Sequence, residues 1–219
     1  MKKTGTKKSL ILFTICAISL LTFNSNAQNA TDAKTGHASY YVEPNIGITQ
    51  YFGDLNPENH SNKEKGLGAG LILGCQLNPV LGLRAQFVTS NLKSKSDVWQ
   101  QSLASKVWDL SLQLKVNVIE IFKNDPDRLI NFYLIGGAGY IHESPSLTNY
   151  DGTPGESATH GGFLIPVGGN VSVTLTQKIN LNFEYSQRLT TNDTGLDNKA
   201  FTQKHDQYSY ASVGATYKF

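Results

Sequence analysis

From Trp108 to Val118 the chain alternates without a break. Trp108, Leu110, Leu112, Leu114, Val116 and Val118 fall on one face, and Asp109, Ser111, Gln113, Lys115 and Asn117 on the other. A period of two held over this length is a β-strand with one apolar and one polar face, and a helix pattern does not produce it. Seven further stretches carry the same signature, near 40–51, 66–77, 81–90, 131–141, 162–175, 179–189 and 206–219. In the first, Tyr40, Val42, Pro44, Ile46 and Ile48 oppose Tyr41, Glu43, Asn45, Gly47 and Thr49, and Pro44, which lacks a ladder donor, predicts a bulge or local irregularity. In the second, Gly66, Gly68, Gly70 and Gly74 share the face opposite Leu67, Leu71 and Leu73, as expected where side chains from across a narrow barrel need room. The stretch at 131–141 has weak contrast: Phe132, Leu134, Ala138 and Tyr140 oppose Gly137 and Gly139, and its phase stays open.

The connections alternate in length. Long polar segments follow the first, third, fifth and seventh strands, the second and third of them read as loops over 91–105 and 142–161. The turns at Asn78-Pro79 and Thr176-Gln177-Lys178 are short, with 119–128 intermediate. Eight strands with this alternation predict an all-β fold, an eight-stranded antiparallel up-and-down transmembrane β-barrel with both ends of the chain on the short-turn, periplasmic side. Ten tilted residues rise roughly 23 Å, close to the apolar band of such barrels. A soluble barrel would use the same alternation with its apolar face inward. The glycine-rich polar face, the aromatic ending and the N-terminus favour the membrane form.

At the N-terminus Lys2, Lys3, Lys7 and Lys8 precede an apolar run from Leu10 to Phe23, and Ser25-Asn26-Ala27 supplies small residues for a cut. Residues 1–27 therefore read as a secretory signal peptide, 28–38 as a periplasmic tail and 39–219 as the barrel domain. Removal of the first 27 residues takes four lysines and leaves fifteen basic against seventeen acidic residues, a net charge of −2. The basic balance belongs to the export signal, so no nucleic-acid surface is expected. Cys75 is the one cysteine left, which excludes an internal disulfide.

From Tyr40 to Phe219 the chain resembles the small eight-stranded outer-membrane β-barrels related to the OmpA and OmpX transmembrane domains. More narrowly it resembles a branch with Gly-Asp-x-Asn-Pro after the first strand, here Gly53-Asp54-Leu55-Asn56-Pro57, with Leu81-Gly82-Leu83-Arg84 in the third and a Tyr217-Lys218-Phe219 ending. The pattern Ser212-x-Gly214-x-x-Tyr217-x-Phe219 is similar to the C-terminal assembly signal of these barrels. The resemblance implies the bacterial outer membrane as location, lipid and lipopolysaccharide as surroundings, the barrel assembly machinery as a partner, and a monomer. Larger relatives carry a peptidoglycan-binding domain after the barrel, and that function is not carried over.

On the face expected to point inward lie Glu43, Arg84, Asp109, Lys115, Glu184, Arg188 and Lys218. Eight strands close around a space just wide enough for side chains, so these charges are expected to pair and fill a polar lumen as a structural plug. A narrow gated ion path is the alternative. The resemblance also admits a rim hydrolase of lipid A or peptides, for which His142-Glu143-Ser144, His160 and His205-Asp206 are the candidates. The glycine clusters at 66–70 and 136–139 lack the Gly-Lys-Ser/Thr ending and following helix of a phosphate loop. The acidic and amide-rich segment Asn192-Asp193 to Asp197-Asn198 lacks a calcium-ligand spacing, and no zinc spacing occurs. The reading is therefore non-enzymatic, without cofactor or metal, in a structural or surface-interaction role whose extracellular ligand the sequence does not name.

Overall fold

The structure is a computed structural model, and it describes residues 38–52, 65–96, 100–122, 128–155, 158–191 and 207–219. The expected signal peptide, residues 28–37 of the tail and the Gly53–Pro57 motif lie outside the described residues. Eight strands, β1 (Ser39–Phe52), β2 (Lys65–Gln76), β3 (Leu81–Ser96), β4 (Gln101–Asn117), β5 (Ile130–Asn149), β6 (His160–Thr174), β7 (Ile179–Thr190) and β8 (Gln207–Lys218), pair in sequence order. All pairs are antiparallel, and β1 meets β8 to close the barrel. Closure leaves no sheet edge within the membrane, where an unpaired backbone group has no water to turn to. The backbone N–H of Phe219 completes the seam by donating to the Tyr40 carbonyl at 3.0 Å.

Short turns are built by side chains that substitute for the ladder. The Asn78 Oδ1 accepts from the amides of Val80 and Leu81, at 2.9 and 2.8 Å. The Thr176 Oγ1 accepts from those of Lys178 and Ile179, at 3.3 and 3.0 Å. Asn117 caps a single-turn helix, α1 (Val118–Phe122), between β4 and β5. Each is a polar residue offering an acceptor to amides that a turn leaves unpaired.

Faces follow the alternation. Leu110, Leu112, Leu114, Leu134, Phe163, Phe183 and Val213 are exposed on the outside, while Glu43, Arg84, Asp109, Gln113, Glu184 and Arg188 are buried within. The open phase of the fifth strand is settled by Asn131, Ile135 and Ile141 inside and Phe132, Leu134 and Tyr140 outside. No bulge forms at Pro44. The β1–β8 register is the same on either side of it, and the ladder merely omits the pairs of Glu43 and Pro44. Pro166 does the same to the β5–β6 ladder, which omits Gly137 and Ala138. In each case the proline stays paired on its other side, to Leu71 of β2 and Arg188 of β7. The missing donor is turned toward one neighbour only, so one ladder is interrupted and the register survives.

Three strands are longer than their sequence pattern predicts. The expected loops at 91–105 and 142–161 are largely sheet: β3 runs to Ser96, β4 starts at Gln101, and β5 continues to Asn149, paired with β4 throughout. In this extension the polarity inverts. Leu92, Leu103, Val107, Ile141 and Leu147 point inward and are buried. Asn91, Lys93, Lys106 and Ser146 point outward and are exposed. An apolar interior with a polar exterior is the arrangement of a sheet in water. The inversion therefore marks the outer edge of the membrane, and the seven residues of β4 before Trp108 rise about 17 Å beyond it. At that edge Trp108 lies 6.4 Å from Phe87, 5.9 Å from Tyr140 and 5.2 Å from His142, centroid to centroid, an aromatic group at the level where such rings favour the interface.

Two expected outcomes follow from the faces and the glycines. Leu112→Arg, on the lipid face at mid-strand, lowers unfolding stability in lipid vesicles by roughly 2–4 kcal/mol. In the lumen the Tyr41 ring lies on Gly74, its direct partner in β2, where a methyl group would overlap the ring. Nothing lies within 4 Å of the corresponding point on Gly136. Gly74→Ala is therefore expected to cost about 1–3 kcal/mol, whereas Gly136→Ala leaves the denaturation midpoint nearly unchanged. Equal effects from the two alanines would contradict the packing described.

Candidate functional site

Six of the seven charges expected in the lumen are buried there; Lys218, near the periplasmic mouth, is only partly covered. Arg84 on β3 reaches across to Glu184 on β7 with a two-pronged contact, Nη1 to Oε2 at 2.7 Å and Nη2 to Oε1 at 2.9 Å. Its Nε and Nη2 also donate to the Gln113 Oε1, at 2.8 and 2.6 Å. Nearer the outside, the Arg188 Nη1 donates to the Asp109 Oδ1 at 2.6 Å, and the Tyr208 hydroxyl donates to the other oxygen of Asp109.

The two ion pairs are joined by amides. Gln113 donates through Nε2 to the Gln86 Oε1 at 2.8 Å, and the same oxygen accepts from the Arg188 Nη2 at 2.8 Å. An unbroken hydrogen-bonded path thus runs Glu184–Arg84–Gln113–Gln86–Arg188–Asp109–Tyr208, tying β3 and β4 on one wall to β7 and β8 on the other. Gln86, Gln113 and Tyr208 were visible in the sequence only as members of the polar face. What marks them is their register: Arg84 pairs directly with Gln113, and Arg188 with Tyr208, so each arginine has its polar neighbour one strand away.

Glu43 belongs to a separate group below this path. Its Oε2 accepts from the Thr216 hydroxyl at 2.8 Å and from the Asn182 Nδ2 at 3.1 Å. Among the described residues Lys115 makes no ion pair, contrary to expectation. Its ammonium lies over the rings of Tyr133 and Tyr41, 4.0 and 5.6 Å from their centroids, where the negative ring faces attract it.

The lumen is not polar throughout. From the level of Arg188 outward, Tyr51, Val88, Leu92, Leu103, Val107, Ile141, Leu147, Leu164, Tyr208 and Tyr210 form one buried cluster, and Ser105, Glu143 and Thr190 are buried in the same end. The polar filling read from the alternation is therefore corrected at the outer end: the lumen is ionic and amide-rich in the membrane and mostly apolar at the outer mouth, where Glu143 is also buried. The rim candidates are split between the two faces of the wall, with Glu143 and His160 neighbours on the inner one. His142 stacks on Trp108 outside the barrel, while Glu143, the next residue, is buried inside. His160 pairs in register with Glu143, and His205 and Asp206 lie outside the described residues. Among the described residues no cluster of three or more metal-ligating side chains occurs.

Of the C-terminal pattern, Ser212 and Gly214 face the lumen, and Tyr217 and Phe219 are exposed outside, with their rings edge to face at 5.4 Å. A side chain at Gly214 would press on the Glu43 carboxylate. Removing one member of a buried ion pair strands the other. Glu184→Gln is accordingly expected to destabilise the refolded protein by about 3–5 kcal/mol in urea titrations, and the double replacement of Arg84 and Glu184 by methionine to regain most of that loss.

The fold and sequence have known counterparts. The Neisserial surface protein A is similar over 84% of this chain and 99% of its own, with a TM-score of 0.57 and 17% identity. Ail, the attachment invasion locus protein of Yersinia pestis, covers 84% of this chain and 99% of its own, with a TM-score of 0.52 and 12% identity. A major outer membrane protein of Thermus thermophilus gives a TM-score of 0.52 and 15% identity over 84% of this chain and 100% of its own. At these identities the likeness is one of fold. No curated protein matches the sequence. Residues 15–219 match the family described as outer membrane protein beta-barrel domain. With its closed antiparallel ring, lipid-facing apolar band and matched length, the chain belongs to that family of β-barrels of the bacterial outer membrane.

Proposed function

We propose that the protein is a closed, non-conducting and non-enzymatic barrel, structural in the membrane and engaged in surface interaction from its raised outer rim. The observation that carries this reading is the apolar cluster over the lumen. An ion entering from outside would have to shed water among Leu92, Leu103, Ile141 and Leu147, with the buried Glu143 beside them, before it reached the first arginine. Below that layer both arginines are engaged through their Nη donors in a path that crosses the bore. His142 and Ser144 lie on the outward face and Glu143 with His160 on the inward one, a division that speaks against a rim hydrolase built from His142, Glu143 and Ser144, because a base must reach its nucleophile.

The surface-interaction part rests on the height of β3, β4 and β5, a rigid sheet that carries its connecting segments clear of the lipid. Loops on such scaffolds commonly bind partners. Ail is named for attachment, and a second crystal structure of it is in complex with the heparin analogue sucrose octasulfate. A contact role outside the cell is proposed here by analogy of architecture. Ser212, Gly214, Tyr217 and Phe219 are proposed as the signal read by the barrel assembly machinery, with the aromatic pair presented outward for that purpose.

The test is single-channel recording of the refolded mature chain in a planar bilayer with insertion verified. Silence is expected from the wild type and equally from Glu184→Gln, because the apolar layer is untouched in both. Reproducible steps that respond to the lumen substitution would replace this reading with the narrow pore.

A further inference from the structure

Among the described side chains, the lysines near the outer membrane edge are confined to one wall. Lys65 on β2, Lys93 on β3 and Lys106 on β4 are all exposed and, by their alternation with Leu67, Thr89 and Trp108, all point away from the lumen. Gly68 pairs with Ser90, which brings Lys65 and Lys93, each three residues further on, to the same level on adjacent strands. Asn91 pairs with Lys106, so Lys106 is the diagonal neighbour of Lys93 on the other side. The outward side chains between them, Asn91, Ala104 and Ser144, are uncharged. Among the described residues the one exposed carboxylate on the outer side is Asp151, beyond the far end of β5. The outward positions near the mouth on the opposite wall, Gly161, Phe163, Leu189 and Ala211, carry no charge.

Like charges facing each other across a sheet destabilise it. Three described cations on adjacent strands make this wall one that attracts an anionic group. The polarity inversion fixes what is there. Lys106 is two residues past Trp108 on the same face, about 5 Å above the aromatic level, and Lys93, four residues past Thr89, is about 10 Å above it. The polar headgroup zone extends roughly 5–8 Å beyond the hydrocarbon on each side. Flexible lysine stems from these positions deliver their ammonium groups into and along that zone.

We propose that the outer wall of β2–β4 is a binding site for the phosphorylated headgroup of an outer-leaflet glycolipid, held by Lys65, Lys93 and Lys106, with Asn91 and Ser144 as hydrogen-bonding neighbours and the Trp108 ring against the start of its acyl chains. The site is one-sided: lipid is retained on this wall and exchanges freely around β6–β8. The proposal depends on the outer-membrane location and is independent of whether the lumen conducts.

The experiment titrates the refolded mature chain in detergent with bisphosphorylated lipid A, and in parallel with its monophosphorylated form and with a heparin fragment, counting bound molecules by native mass spectrometry. The wild type is expected to retain bisphosphorylated lipid A more tightly than the monophosphorylated form. Each of Lys65→Gln, Lys93→Gln and Lys106→Gln weakens retention roughly fivefold, and the triple variant about a hundredfold. Lys178→Gln, an exposed lysine in the β6–β7 turn at the other end of the barrel, leaves it unchanged. Heat-modified gel mobility confirms that each variant is folded, and the single variants keep the test valid if the triple does not fold. Equal retention by the wild type and Lys106→Gln, an equal loss in Lys178→Gln, or capture of the heparin fragment in place of lipid A would overturn the proposal, the last in favour of a sulfated glycan.

Discussion

The bore of an eight-stranded ring is only side-chain wide, and that one dimension governs the interior. Every backbone polar group must be paired inside the bilayer, which demands closure, and closure at eight strands leaves no room for a water-filled channel to solvate a charge. Arg84 and Arg188 are therefore satisfied by protein groups or not at all. Each meets a carboxylate from the opposite wall, and further donors go to glutamines, Arg84 to Gln113 on the adjacent strand and Arg188 to Gln86 across the bore, while the Arg188 Nε makes no hydrogen bond among the described residues. A buried pair of this kind is weak evidence for net stability, since desolvation offsets much of the attraction. Its stronger consequence is specificity: a register slip by one residue would turn Arg84 into the lipid and leave Glu184 alone.

The same chain applies two opposite solvent rules along single strands. Within the lipid, β4 turns leucines outward and Asp109, Gln113 and Lys115 inward; beyond Trp108 it turns Leu103 and Val107 inward and Lys106 outward. No change in backbone geometry accompanies this, because β3, β4 and β5 remain in one continuous register through the transition. The sheet is thus a membrane barrel wall and a water-facing sheet in succession, joined at a group of aromatics. The apolar cluster at the outer end of the lumen follows from the second rule, and the charged interior from the first.

This explains what could be read in advance and what could not. The eight strands were legible because Leu110 to Val118 and its counterparts contrast sharply with their polar neighbours, and the faces of Glu43, Arg84, Asp109, Glu184 and Arg188 followed from phase alone. The extensions of β3 to β5 were read as loops because Asn91 to Ser96 and Gln101 to Val107 contain few large residues and alternate in the reverse sense, so that the pattern breaks at the water boundary although the strand does not. Lys115 was assigned an ionic partner because periodicity tells which residues share the lumen. It is silent on height within it, where Tyr133 proved to be the neighbour. Likewise the linking role of Gln86 and Gln113 depends on the pairing of β3 with β4 and on the reach of arginines from β3 and β7, which no local pattern encodes.

The two prolines give the ring an uneven stiffness. Pro44 interrupts the β1–β8 ladder and Pro166 the β5–β6 ladder, and these two lines divide the barrel into a five-stave panel, β1 to β5, and a three-stave panel, β6 to β8. Flattening or ovalling of the cross-section under lateral pressure would concentrate at those lines, as in a box folded along two creases. The Arg84–Glu184 and Asp109–Arg188 contacts each run from the larger panel to the smaller one. They act as tie rods across the creases, joining the two panels through the bore as well as around the wall.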